Sequence, residues 1–226
     1  MSLVEYPDAE MMMMTLADRL VGELRSALGT HDRVSFAVPG GSTPGPLFDV
    51  LSSVHLDWER VVVLPTDERW VPPEHERSNA RLIRSRLLTD AAAVAAFQPL
   101  YLAEAEAEPE RALDRLGAQV AGLRPLDVVL LGMGADMHIA SLFPGADGLA
   151  AALDAAAPPL AVMRPETEAE ARMTLTGPVL AGALSVHVVI TGADKRAAYE
   201  RALRLDPREA PVQAVLSAGA TVHWAP

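Results

Sequence analysis

Leucine recurs every fourth residue in TLADRLVGELRSAL, so that Leu16, Leu20, Leu24 and Leu28 form the apolar stripe of an amphipathic helix. Short apolar runs follow. VSFAV at 34–38, VVVLP at 61–65 and DVVLLGMG at 127–134 read as buried strands, as do LAVMR at 160–164, SVHVVITG at 185–192 and TVHWA at 221–225. Helical spacing fills the intervals: SNARLIRSRLL at 78–88 with Ser78 as its cap, residues 103–122 from Pro109 onward, and PVLAGAL with Pro178 in its first turn. ADKRAAYERALRL and PVQAVLSAG supply two more helices. Strands apolar on both faces, alternating with helices, predict an α/β fold: a mostly parallel sheet with helices on both faces. No repeat or low-complexity linker interrupts the pattern, which predicts one domain over residues 1–226.

In such sheets ligands bind beyond the carboxyl ends of the strands. The residues least expected of a plain core fall there. GGST follows the first strand, TDER the second, GADMH the third and TGADK a later one.

Half of the residues are hydrophobic, enough for a sizeable core, yet no apolar run is long enough to cross a bilayer and no signal-like segment opens the chain. The MMMM run at 11–14 reads as helix-face filler or start-site debris rather than as a metal site. Cysteine is absent, which removes disulfides, thiolate nucleophiles and Cys-based zinc sites and fits a cytoplasmic protein. A net charge of −11 without any basic stripe excludes general binding to nucleic acid or anionic membranes. An anionic small molecule could still be held by a few local cations.

Those cations can be named. The nineteen basic residues include a single lysine, Lys195, directly after a predicted strand end, where a compact ammonium suits a phosphate. Arg69 and Arg172 are further candidates. In GGSTP, Gly40 and Gly41 allow a tight turn and close ligand approach, while Ser42 or Thr43 can cap the next helix with Pro44 near its first position. Exposed amides at such a helix start suit a phosphate, although an ordinary strand-to-helix turn explains the motif equally well. Asp67 and Glu68 are adjacent and on a strand point to opposite sides, so only one faces the ligand.

Among six histidines none shows zinc-site spacing, and His138 stands apart through its neighbours Gly132, Gly134 and Asp136 at a strand end. Its side chain suits proton transfer near neutral pH. No GxSxG elbow surrounds Ser141, so hydrolysis would use water directly, with His138 as base and a reactive ester as substrate.

Together GGSTP, DWERVVVLPTDERWVP, SNARLIRSRLL, DVVLLGMGADMHIASLFPG, MTLTGPVL and VITGADK resemble the 6-phosphogluconolactonases. The resemblance implies a Rossmann-like sheet and metal-free, cofactor-free hydrolysis of the δ-lactone of 6-phosphogluconate in the oxidative pentose phosphate pathway. It makes His138 the general base and lets Asp67 orient the site. It assigns Gly40, Gly41, Ser42, Thr43, Arg69, Arg172 and Lys195 to the phosphate. The glycines also suggest the amides of Gly134, Ala135, Asp136 and Met137 as oxyanion donors, each worth roughly 3 kcal/mol in known cases. The partner is then a small sugar-phosphate lactone, and the expected state is a monomer or weak homo-oligomer.

The family pattern GPDGHTASLFPG is altered here: Met137 replaces a glycine and Ile139 a threonine. A positive φ at Met137 would cost about 1–2 kcal/mol, and its side chain would narrow the pocket. Two rival readings remain. A glucosamine-6-phosphate deaminase-like isomerase is opposed by Phe143, which stands where those enzymes carry a glutamate. A non-catalytic sugar-phosphate-binding module would keep the cations and lose turnover.

Overall fold

A computed structural model describes residues 2–165 and 169–226. In chain order it contains β1 (Ser2–Glu5), α1 (Ala9–Leu28), β2 (Val34–Val38), α2 (Gly45–Ser52), β3 (Val61–Pro65), β4 (Asp67–Arg69), α3 (Asn79–Arg86) and β5 (Ala96–Phe97). There follow α4 (Leu113–Ala121), β6 (Val128–Gly132), α5 (Leu149–Leu153), β7 (Leu160–Met163), β8 (Arg172–Leu175), α6 (Gly177–Ala181), β9 (Ser185–Thr191), α7 (Ala193–Ala202), α8 (Gln213–Ser217) and β10 (Thr221–Ala225). Seven strands form a parallel sheet in the order β1-β10-β9-β6-β2-β3-β5.

The alternation of side chains along each strand divides the core in two. Phe36, Val38, Val61, Val63, Val128 and Leu130 meet α1, α2 and α3 on one face. Ala37, Leu64, Val129, Leu131, Val188 and Val222 meet α4, α6, α7 and α8 on the other. Both faces are therefore covered, as an all-parallel sheet requires. Helix α1 starts where the Asp8 carboxylate accepts from the Met11 amide at 2.8 Å. It absorbs the methionine run by burying Met12 and Met13 and leaving Met11 and Met14 exposed.

Strand order reverses between β2 and β6: the chain proceeds outward through β3 and β5 on one side and through β9 and β10 on the other. A crevice opens at such a switch point, beyond the strands' carboxyl ends. Asp127 fixes this junction, accepting at 2.8 Å from the Ser35 amide and at 2.9 Å from its hydroxyl. The Ser35 hydroxyl oxygen in turn accepts from the Asp127 amide at 2.9 Å.

Three features depart from the sequence reading. LAVMR forms β7, but it pairs antiparallel with β8 in a separate three-stranded sheet, β4-β8-β7, rather than joining the parallel one. Residues of TDER, read as trailing the strand at 61–65, form an edge strand of their own, β4. Neither Ser42 nor Thr43 caps α2: Pro44 occupies the cap position without a side-chain hydrogen bond, and the Ser42 carbonyl accepts from the Gly45 amide at 3.3 Å.

Candidate active site

The crevice holds a cavity of about 320 Å³ lined by each of the four strand-end motifs. Residues 40–43 wall one side. Gly41 has φ +86°, a conformation only glycine adopts without strain. A β-carbon on Gly40 would overlap the Asn79 side-chain amide, so this position must stay bare for Asn79 to reach the cavity.

Strand β4 separates two carboxylates by its period of two. Asp67 and Arg69 line the cavity. Glu68 points the other way into the start of α3, accepting from the amides of Asn79 and Ala80, both at 2.7 Å. The Ser78 hydroxyl at 3.2 Å and the Arg69 amide at 2.9 Å complete its shell. Burial pushes the Glu68 carboxyl up to about 7, against the pull of those amides. Glu68 thus anchors a helix, and Asp67 is the carboxylate that faces the cavity. Asp67 is held at Oδ2 by the Ser141 hydroxyl at 2.6 Å, with Arg172 Nη1 at 3.9 Å.

Antiparallel pairing sets Arg69 directly opposite Arg172, and both line the cavity. Two like charges facing each other across a strand pair are unfavourable, a cost that the Asp67 carboxylate beside Arg172 offsets in part and that an anionic ligand would offset further. Lys195, in the first turn of α7 after Gly192, supplies a third cation. It makes no ion pair among the described residues, and burial pulls its ammonium below the usual lysine range.

The turn after β6 carries the histidine. The Gly134 amide donates to the His138 carbonyl at 3.0 Å, and the Met137 amide donates to the Gly134 carbonyl at 2.9 Å. His138 Nδ1 lies 2.6 Å from Asp136 Oδ1, which also accepts the His138 amide at 3.2 Å. With Nδ1–H donating to the carboxylate, Nε2 is left as the proton acceptor. Although burial acts to raise it, the Asp136 carboxyl is held below its ordinary range by His138. The Phe143 ring, 4.4 Å between centroids, covers the imidazole. Among the described residues no group of His, Asp and Glu is arranged to hold a metal ion.

A family profile described as "Glucosamine-6-phosphate isomerases/6-phosphogluconolactonase" matches residues 7–224. The chain belongs to this family. It is 42% identical to a 6-phosphogluconolactonase of Rhizobium meliloti (strain 1021), covering 100% of this chain and 98% of that protein. A 6-phosphogluconolactonase of Pseudomonas aeruginosa is 41% identical over 93% of this chain and 89% of its own. The crystal structure of a 6-phosphogluconolactonase from Shewanella baltica OS155 superposes with a TM-score of 0.91 at 31% identity, covering 100% and 97% of the two chains.

Against the family pattern, Met137 sits at φ +71°, so the anticipated strain of about 1–2 kcal/mol applies. The pocket is not narrowed, however: Met137 packs against the apolar cluster on its face of the sheet and does not line the cavity. The proposed oxyanion donors also fail to converge. The Gly134 and Met137 amides are engaged inside the turn, while Ala135, Asp136 and Met137 lie off the cavity lining.

Asp136 instead meets His138 through its carboxylate, and Asn79 is a cavity residue that the sequence marks only as a helix start. The local signal for Asp136 was its spacing of two from His138 at a turn. Gly134 has a sharper reason to be glycine. Its φ is not positive, but a β-carbon there would overlap both Asp136 Oδ1 and His138 Nδ1. Gly134→Ala is expected to separate the pair and lower turnover by about 10²-fold, with little change in melting temperature. Steady-state kinetics beside a thermal melt would show this, and unaltered kinetics would refute the steric argument.

Proposed function

We propose that this cavity hydrolyses 6-phospho-D-glucono-1,5-lactone to 6-phosphogluconate, as a metal-free carboxylic ester hydrolase of the oxidative pentose phosphate pathway. One juxtaposition carries the reading: a carboxylate-held histidine and three cations share a cavity sized for one sugar phosphate. Arg69, Arg172, Lys195 and the loop 40–43 hold the phosphate dianion. His138 Nε2 takes a proton from water as its oxygen attacks the lactone carbonyl carbon. The tetrahedral intermediate collapses by breaking the bond to the ring oxygen, and the imidazolium returns the proton to that departing oxygen.

Asp136 keeps the ring in the required tautomer and balances its transient charge, while Asp67, fixed by Ser141, orients the sugar. All of these groups come from one chain, which supports action as one domain over residues 1–226 and as a monomer or weak homo-oligomer. The substrate class supports a cytoplasmic location; among the described residues no helix is long and apolar enough to cross a membrane.

A deaminase-like isomerase would need an acid where Phe143 covers His138, and a mere binding module has no use for the Asp136–His138 pair. The test is hydrolysis of the phosphorylated lactone, generated in situ, against its spontaneous rate. Strong acceleration is expected. Tight binding of 6-phosphogluconate without acceleration would favour the binding module.

A further inference from the structure

Arg69 is held by a residue that no phosphate-binding motif includes. Its Nη1 donates to the Asn79 side-chain oxygen and, at 3.2 Å, to the Arg77 carbonyl. Asn79 Nδ2 in turn donates to the Asp67 carbonyl at 2.7 Å. The amide therefore spans β4 from the residue that carries one cavity carboxylate to the residue that carries one cavity cation. Asn79 is itself fixed on three sides. Its backbone amide donates to Glu68, it opens α3, and Gly40 lies so close that even a methyl group there would overlap it. Only 1% of the Asn79 surface is exposed, yet it borders the cavity.

A carboxylate in the same place would fix the guanidinium equally well but would neutralise it. An amide orients Arg69 and leaves its charge for a ligand. We infer that Asn79 is a positioning residue for phosphate recognition: its uncharged side chain aims the Arg69 guanidinium across the strand pair from Arg172 while preserving its full positive charge. The inference rests on the sugar-phosphate reading of the cavity and assigns Asn79 no part in proton transfer.

The experiment compares two substrates and two products. Wild type, Asn79→Ala and Asn79→Asp are assayed on 6-phosphogluconolactone and on unphosphorylated glucono-1,5-lactone. Binding of 6-phosphogluconate and of gluconate is measured by calorimetry on the same proteins. Asn79→Ala is expected to raise KM for the phosphorylated lactone and weaken 6-phosphogluconate binding about 10-fold or more. Its kcat should stay within a few-fold, and kcat/KM for the unphosphorylated lactone should fall far less than for the phosphorylated one.

Asn79→Asp, nearly isosteric, should show the larger KM increase because its carboxylate cancels the charge it orients. Equal losses on both lactones would mean that Asn79 only supports the fold, and an aspartate variant that binds 6-phosphogluconate as well as wild type would overturn the role of neutrality. Calorimetry separates this inference from the wider reading. A wild type that binds 6-phosphogluconate no better than gluconate sinks the role of Asn79 even if lactone is hydrolysed. A wild type that binds it selectively without turnover, with binding lost in both variants, upholds Asn79 while the lactonase reading fails.

Discussion

His138→Ala is expected to lower kcat on 6-phosphogluconolactone by about 10²- to 10⁴-fold, the range general acid–base catalysis usually supplies. Substrate affinity should be nearly unchanged, because the three cations proposed to hold the phosphate belong to other elements: Arg69 to β4, Arg172 to β8 and Lys195 to α7. The fold should also survive. The His138 side chain is 30% exposed and its nearest partners, Asp136 and Phe143, belong to the same turn. Progress curves for wild type and variant, corrected for spontaneous hydrolysis, decide the matter. A variant that retains wild-type kcat would remove His138 from the mechanism and leave the cavity a binding site.

Acidification from pH 7.5 to 4 should destabilise the fold by a measurable fraction of its stability. On the α1 face of the sheet a polar chain runs from Tyr6 to Glu23 through two buried histidines. The Tyr6 hydroxyl lies 2.8 Å from His223 Nδ1, and His223 Nε2 lies 3.0 Å from His187 Nδ1. His187 Nε2 then lies 2.8 Å from Glu23 Oε2, which also accepts from the Ser185 hydroxyl at 2.7 Å. One set of protons satisfies every link: tyrosine donates to His223, His223 to His187, and His187 to the carboxylate, with both imidazoles neutral.

Burial, reinforced by the neighbouring His187, holds His223 down to about 3. Burial acts upward on Glu23, but hydrogen bonds from His187 and Ser185 bring it to about 2. For His223 the unfolded chain takes up a proton near pH 6.5 and the folded chain does not, so stability present above that pH is lost as pH falls toward the folded value. At about 1.4 kcal/mol per unit, the loss between pH 6.5 and 4 is on the order of 3 kcal/mol, or roughly 10 °C in melting temperature. Glu23 adds to the loss below about pH 4.5. Thermal melts from pH 7.5 to 4 at constant ionic strength test this, and a flat profile across that window would show that the chain does not carry the stability assigned to it.

Much of this architecture was legible because its signals are local. Unbroken apolar runs such as VVVLP mark strands buried on both faces, and a four-residue leucine spacing marks α1, whatever else the chain does. The grouping of unusual residues at strand ends marks the place of the cavity. What escaped the reading depends on partners distant in sequence. Strand β4 is polar because one face meets the cavity and the other meets the start of α3, so no apolar pattern announces it. Strand β1 is four residues at the sheet edge with no fully buried position. Asn79 owes its place to Gly40 and Arg69, and no spacing within SNARL encodes that. The glycines around Asp136 suggest a role for its backbone amide, whereas it is its carboxylate that meets His138.

The pairing of β1 with β10, Ser2 opposite Thr221, also bears on the order of assembly. A contact that closes so long a loop is among the most entropically costly to form early, so this edge joins a sheet already laid down around β2, β3 and β6. The crevice lies between β2 and β6, three strands inward from β1. Native-state hydrogen exchange should therefore be fastest along the β1–β10 ladder, and transient opening of that seam leaves the crevice closed and competent.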